Sequence, residues 1–168
     1  MRTADRTHAH RPIDERVFSG QHLIPQRVKH EYMPSYLNTE PELDDGDSIL
    51  QRYPAEVYVI ERAGSDEGES TYQFYAPARE PVTFDDEERA RLFAELYTVV
   101  DGFRIDGTGE RGIPVNVATF GSAAIATYMF SAWGSTPTQI TQTIDADRQT
   151  VLAYFDRISE RAEELLEE

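Results

Sequence analysis

No Asp, Glu, Lys or Arg occurs between Ile113 and Ile144, in a chain whose formal net charge is −15. An uncharged run of that length belongs either in a bilayer or in the middle of a protein core. Its interior decides between the two. The stretch VNVATFGSAAIATYMFSAW includes Asn116, Thr119, Ser122, Thr127 and Ser131, so its fully apolar segments are short. A spanning helix takes about 20 predominantly apolar residues. The nearest basic flank on the C-terminal side is Arg148, well beyond Gly134 and Pro137. No membrane partner is expected. The run reads instead as a buried helix over Thr119–Trp133, with Phe120, Ala124, Ile125, Tyr128, Met129 and Trp133 as its inner stripe.

The 168 residues suffice for one ordinary domain around such a helix. The absence of Cys excludes a disulfide scaffold, a thiolate zinc site and a cysteine nucleophile. Residues 1–50 read as a mobile arm and linker: they lack sustained periodicity, contain Pro12, Pro25, Pro34 and Pro41, and end in the acidic turn LDDGD. The start of the chain shows no apolar signal-peptide core. The arm is locally basic, with Arg2, Arg6, Arg11, Arg16, Arg27 and Lys29, and it holds all four His. Order is expected from residue 51. Segments 55–61 and 71–76 are β-branched and aromatic, with a polar loop between them, and predict a hairpin. A helix follows, started by Asp85 with Glu88 three residues on and stopped near Gly102. Its inner face carries Leu92, Phe93, Leu96, Val99 and Val100. The fold class is therefore α+β: arm 1–50, hairpin plus helix 51–112, and a helical unit 113–168.

Asp and Glu number 31 against 16 basic residues, of which Lys29 is the one Lys. That balance is similar to the proteins of salt-loving archaea, in which a hydrated carboxylate surface maintains solubility at high salt. The acidity then describes the solvent rather than the partner, and it argues against holding nucleic acid by bulk charge.

After the uncharged run the sequence reads GSTPTQITQTIDADRQTVLAYFDRISERAEELLEE. Thr136 is a favourable N-cap, Pro137 falls at the first helical position, and Gln139 is placed to close a capping box. That helix is short and runs to about Ile144. DAD breaks the pattern, and Asp147 caps a second helix from Arg148 onward. Two short helices separated by about three residues and preceded by a third follow the helix-turn-helix plan. Ile140 and Ile144 face inward from the first of the pair, Ala146 is the small apolar residue of the turn, and Val151, Tyr154 and Phe155 face inward from the second.

On these residues ITQTIDADRQTVLAYF resembles the helix-turn-helix of many bacterial and archaeal repressors, above all at Gln149-Thr150-Val151. The segment is identified as a tri-helical helix-turn-helix DNA-binding domain. The stretch from about Val82 to Ile158 also resembles small haloarchaeal proteins that end in such a motif, a likeness that brings no activity with it. The sequence departs from the pattern at Thr141, where the family prefers Ala, and at Asp145, where the turn usually has Gly. Asp tolerates a left-handed backbone, so the turn is expected to survive.

The resemblance implies double-stranded DNA as partner, with the second helix in the major groove. Arg148, Gln149 and Thr150 would face base edges, suited to guanine, adenine and the thymine methyl in turn. Ala153 would lie one turn further on the same face. Thr136 and Thr138 would touch phosphate, and Arg157 would reach the backbone. The arm would enter a minor groove. The implied protein is a transcriptional regulator in the cytoplasm of a salt-loving archaeon, or of its plasmid or virus. One feature opposes this. From 137 to 158 the sequence sets Arg148 and Arg157 against Asp145, Asp147 and Asp156, whereas DNA-binding domains usually have a basic face. In molar salt phosphate contacts weaken steeply, and base contacts must carry more. The alternative is a protein-interaction adaptor that uses the helix-turn-helix unit as a docking module.

Other signals carry less. Gly107 to Gly112 matches GxGxxG, but Pro114 and two Val follow where the dinucleotide fingerprint needs a helix start, so a turn is expected. His8, His10, His22 and His30 lack a ligand pattern, and no His follows residue 30, which weakens His-based catalysis. The carboxylates 85–88 read as a solvated helix start. No catalytic residue, cofactor or metal site is expected, and an enzyme is not. Finally, Val151, Phe155, Ile158, Ala162 and Leu165 repeat at coiled-coil-like spacing, which predicts a homodimer through the C-terminal helix unless the hairpin domain folds back to cover the stripe.

Overall fold

The computed structural model describes residues 40–64, 68, 70–104 and 112–168. The chain divides into two compact units, Met1–Tyr32 and Met33–Glu168, and every described residue belongs to the second. Of the arm and linker expected over residues 1–50, residues 1–39 with all four His lie outside the described residues, as does the GxGxxG turn up to Arg111.

Four antiparallel strands form one sheet in sequence order: β1 (Ser48–Tyr53), β2 (Val57–Arg62), β3 (Thr71–Tyr75) and β4 (Val82–Phe84). β2 and β3 are the expected hairpin, registered from Tyr58↔Tyr75 to Arg62↔Thr71. The linker expected to reach residue 50 ends earlier, because Ser48, Ile49 and Leu50 open β1. Ile49 joins an apolar cluster on one face of the sheet, with Tyr58, Ile60 and Tyr75. Leu50 packs on the opposite face, against the main core. The segment just before β1 is also tied down. The Asp47 carboxylate accepts from the Asp44 amide at 2.8 Å and the Ala63 amide at 3.1 Å, and pairs with Arg62. Arg62 donates in addition to the Glu42 carbonyl at 2.9 Å and the Gln73 carboxamide at 2.7 Å.

The sheet face bearing Val57, Val59, Phe74 and Phe84 is covered by α1 (Glu87–Val99). Its N-cap is Asp86 rather than Asp85: Asp86 is the last residue with an extended backbone, and its carboxylate accepts from the Arg89 amide at 2.9 Å. At the other end Gly102, with φ +83, donates from its amide to the Tyr97 carbonyl at 2.7 Å. Leu92, Phe93, Leu96 and Val100 are buried as expected, and Val99 is half-buried.

The uncharged run is not one helix. It forms α2 (Val115–Phe120) and α3 (Ser122–Ser131), divided at Gly121, whose φ of 103 and ψ of −168 belong to a region essentially reserved for Gly. The break takes Phe120 out of the expected stripe, to 51% exposure, and Trp133, beyond the end of α3, is also exposed. Ala124, Tyr128 and Met129 remain buried and Ile125 half-buried. A helix also starts at Val115, contrary to expectation. Pro114 stands at its N-cap, where its missing N–H costs no helical bond, and its carbonyl accepts from the Ala118 amide at 2.9 Å. Among the described residues no helix is long and apolar enough to cross a membrane.

Two further helices, α4 (Pro137–Thr143) and α5 (Arg148–Glu167), follow among the described residues. The main core lies between the sheet, α1, the α2–α3 pair and the C-terminal half of α5. A chain of rings runs through it, Phe74–Phe93 at 4.9 Å, Phe93–Phe103 at 5.2 Å and Phe103–Tyr128 at 5.5 Å. A second core joins Ala126 and Met129 of α3, Ile140 of α4, and Val151 and Phe155 of α5 with Leu92 of α1. The boundary drawn at residues 112/113 therefore runs through shared interior.

The stripe expected to face a second subunit is covered within the chain. Val151, Phe155, Ile158 and Ala162 are all buried, Leu165 is half-buried, and Leu166 is exposed. The cover comes from α1 and α3, both packed against α5. Ser159 donates to one Glu95 carboxylate oxygen at 2.6 Å, and Tyr53 of β1 donates to the other at 3.2 Å. Burial, with the Glu95 carboxylate beside it, raises the Tyr53 hydroxyl well above the ordinary tyrosine range and keeps it a donor.

Candidate nucleic-acid interface

α4 starts as its local sequence requires. The Gln139 amide donates to the Thr136 hydroxyl at 3.3 Å, and the Thr136 amide donates to the Gln139 carboxamide oxygen at 2.8 Å, with Pro137 in the first turn. This reciprocal pairing satisfies two amides that a bare helix start would leave open. The Thr136 hydroxyl itself donates to Gln139 at 3.1 Å, so the box occupies the group expected to reach phosphate. Thr138 is exposed beside it, and its carbonyl accepts from the Thr141 hydroxyl at 2.7 Å. Thr141, one of the two departures from the family pattern, is accommodated by that bond.

The link between α4 and α5 differs from expectation. Ile144 is extended, with φ −109 and ψ 144, and the Ala146 amide donates to the Ile144 carbonyl at 2.8 Å. The bond closes a three-residue turn about Asp145. Asp145 is not among the residues with positive φ, so the left-handed conformation expected there is replaced by this tighter reversal. Asp147 then caps α5, its carboxylate accepting from the Thr150 amide at 2.7 Å. That backbone bond, before any other cause, holds the Asp147 carboxyl below the usual carboxylate range.

The inward side of the pair matches the reading of the residues: Ile140, Val151 and Phe155 are buried in the second core, with Ile144, Ala146 and Tyr154 packed against it. The opposite side of α5 is free. Arg148, Gln149 and Ala153 are exposed, and among the described residues Arg148 enters no ion pair; Thr150 is half-buried. Arg157 turns aside, its guanidinium carbon 6.0 Å from the centroid of the Tyr154 ring. The exposed residues of the first turn of α5 thus sit at its capped start, with Arg157 further along the same helix.

Two residues on that surface were not among those expected at the site. Leu152 is 42% exposed, and Asp156 is exposed one turn beyond it. The 149, 152, 153, 156 spacing was available to find both, because it marks one face of a helix.

Compared with protein-family models, curated proteins and solved structures, the chain matches none of them.

Proposed function

We propose that α4 and α5 form a sequence-specific DNA-binding helix-turn-helix, and that the protein regulates transcription in a salt-rich archaeal cytoplasm. The observation that carries this reading is the first turn of α5: a capped helix start, anchored from behind by Val151, presents Arg148 and Gln149 outward with Ala153 one turn on. Such a turn has the dimensions and donors to read base edges in a major groove. The local surface is acidic rather than basic, so affinity has to come from base contacts and shape rather than from phosphate neutralisation.

Genomic fragments that co-purify with the full chain at molar KCl should share a short sequence motif. Arg148→Ala and Gln149→Ala should each weaken binding to that motif by about 1–3 kcal/mol and relax preference at one base position. If both variants keep the parent's specificity, the groove assignment fails.

The exposed Leu152 favours a second reading, an adaptor that docks another protein with this face. Leu152→Gln separates them: it leaves DNA selection intact under the first and abolishes partner capture under the second.

A further inference from the structure

We infer that the cleft between the α2–α3 break and α5 binds small planar anions, aryl carboxylates above all. It encloses about 450 Å³ and is lined by Phe120, Ser122, Tyr154, Arg157, Ile158 and Arg161 among others, within the size range of small-molecule sites, about 300–1,000 Å³. The inference stands apart from base reading, because it uses neither Arg148 nor Gln149; of the residues expected at DNA it shares Arg157 alone, the one expected at the backbone.

The break at Gly121 builds one wall. By ending α2 it leaves the Phe120 ring 51% exposed and lining the cleft, although the same residue in a continuous helix would have joined the core stripe. On α5, Tyr154 is half-buried, Ile158 is buried, and Arg157 stands 6.0 Å over the Tyr154 ring. Arg161 follows one turn beyond Arg157 along the same edge of the helix.

Two aromatic rings and two guanidinium groups around one concavity select a ligand with a flat apolar body and a negative end. Neutral aromatics lack the second half of that match, and small inorganic anions lack the first. The surrounding charge sharpens the selection. At −15 overall the chain repels anions at long range, so an anion is held only where guanidinium groups meet it directly. Arg161 is partly engaged, donating to Glu164 at 2.6 Å, which leaves Arg157 as the principal anion holder.

The test is a titration of the isotope-labelled full chain with benzoate, followed by amide NMR, with acetate and benzyl alcohol as charge-only and ring-only controls. Benzoate should give saturable shifts at Ser122, Ala123, Tyr154, Arg157 and Arg161, with each control binding at least about tenfold more weakly. Phe120→Ala and Arg157→Gln, both at exposed positions, should each weaken benzoate severalfold. Glu164→Gln, which releases Arg161, should tighten it, a change that loss of structure would not produce. Benzyl alcohol binding as well as benzoate, shifts scattered away from the cleft, or affinities unchanged in all three variants would each overturn the inference.

Discussion

The Arg62 guanidinium of β2 fastens two other stretches of chain: the carboxylate of Asp47 and the carbonyl of Glu42, both before β1, and the carboxamide of Gln73 in β3 all meet it. Asp47 is held in turn by the amides of Asp44 and Ala63. These bonds, the Asp44 amide foremost and then Arg62, hold the Asp47 carboxyl below its ordinary value of 3.8. A depressed carboxyl pKa stabilises the fold above the unfolded value, and the contribution is lost as pH falls through the folded one. Asp47→Asn should therefore lower the thermal midpoint at neutral pH, and the gap to the parent should close as the pH is taken below 3.8. Melts across that acid range check this, and a gap that stays constant would exclude a charged Asp47 as its source. The interaction was not legible beforehand. In LDDGD several carboxylates compete, and only the register of β1 on β2 decides which of them meets Arg62.

At the scale of elements, the signals that could be read were those completed within three or four residues. Thr136 with Gln139 and Asp147 with Thr150 each close a cap locally, so the starts of α4 and α5 fell where the sequence placed them. β4 spans three residues, too few to establish alternation, and β1 is interrupted by a register shift between Ile49 and Gln51. Gly121 escaped notice because a Gly inside an apolar stripe leaves the periodicity intact, and only its backbone angles show that the helix stops. A Cβ at Gly121 would meet nothing within 4 Å, so Gly121→Ala tests backbone conformation alone. It should cost about 1–3 kcal/mol, read from denaturant unfolding. A cost near zero would mean that α2 and α3 join into one helix without penalty. The stripe on α5 is ambiguous for a different reason. Its spacing is the same whether the partner is a second subunit or a neighbouring helix, and α1 and α3 both pack against it within the chain.

For the whole molecule, the consequential arrangement is that α1 and α5 each serve both cores. Phe93 belongs to one and Leu92, its neighbour in sequence, to the other; on α5 the division falls between Phe155 and Ile158. Neither the sheet nor the helical unit retains a complete interior if the other opens. Native-state hydrogen exchange should make this visible, since amides exchange through whatever opening is cheapest. The slowest amides of β2 and those of α4 and the first turns of α5 should report one common opening free energy and respond alike to denaturant. A helical unit that exchanged by itself, well below the sheet, would refute the coupling. If the described part of the second unit opens only as a whole, a surface on it meant to meet a partner is presented already formed and pays little ordering entropy on association.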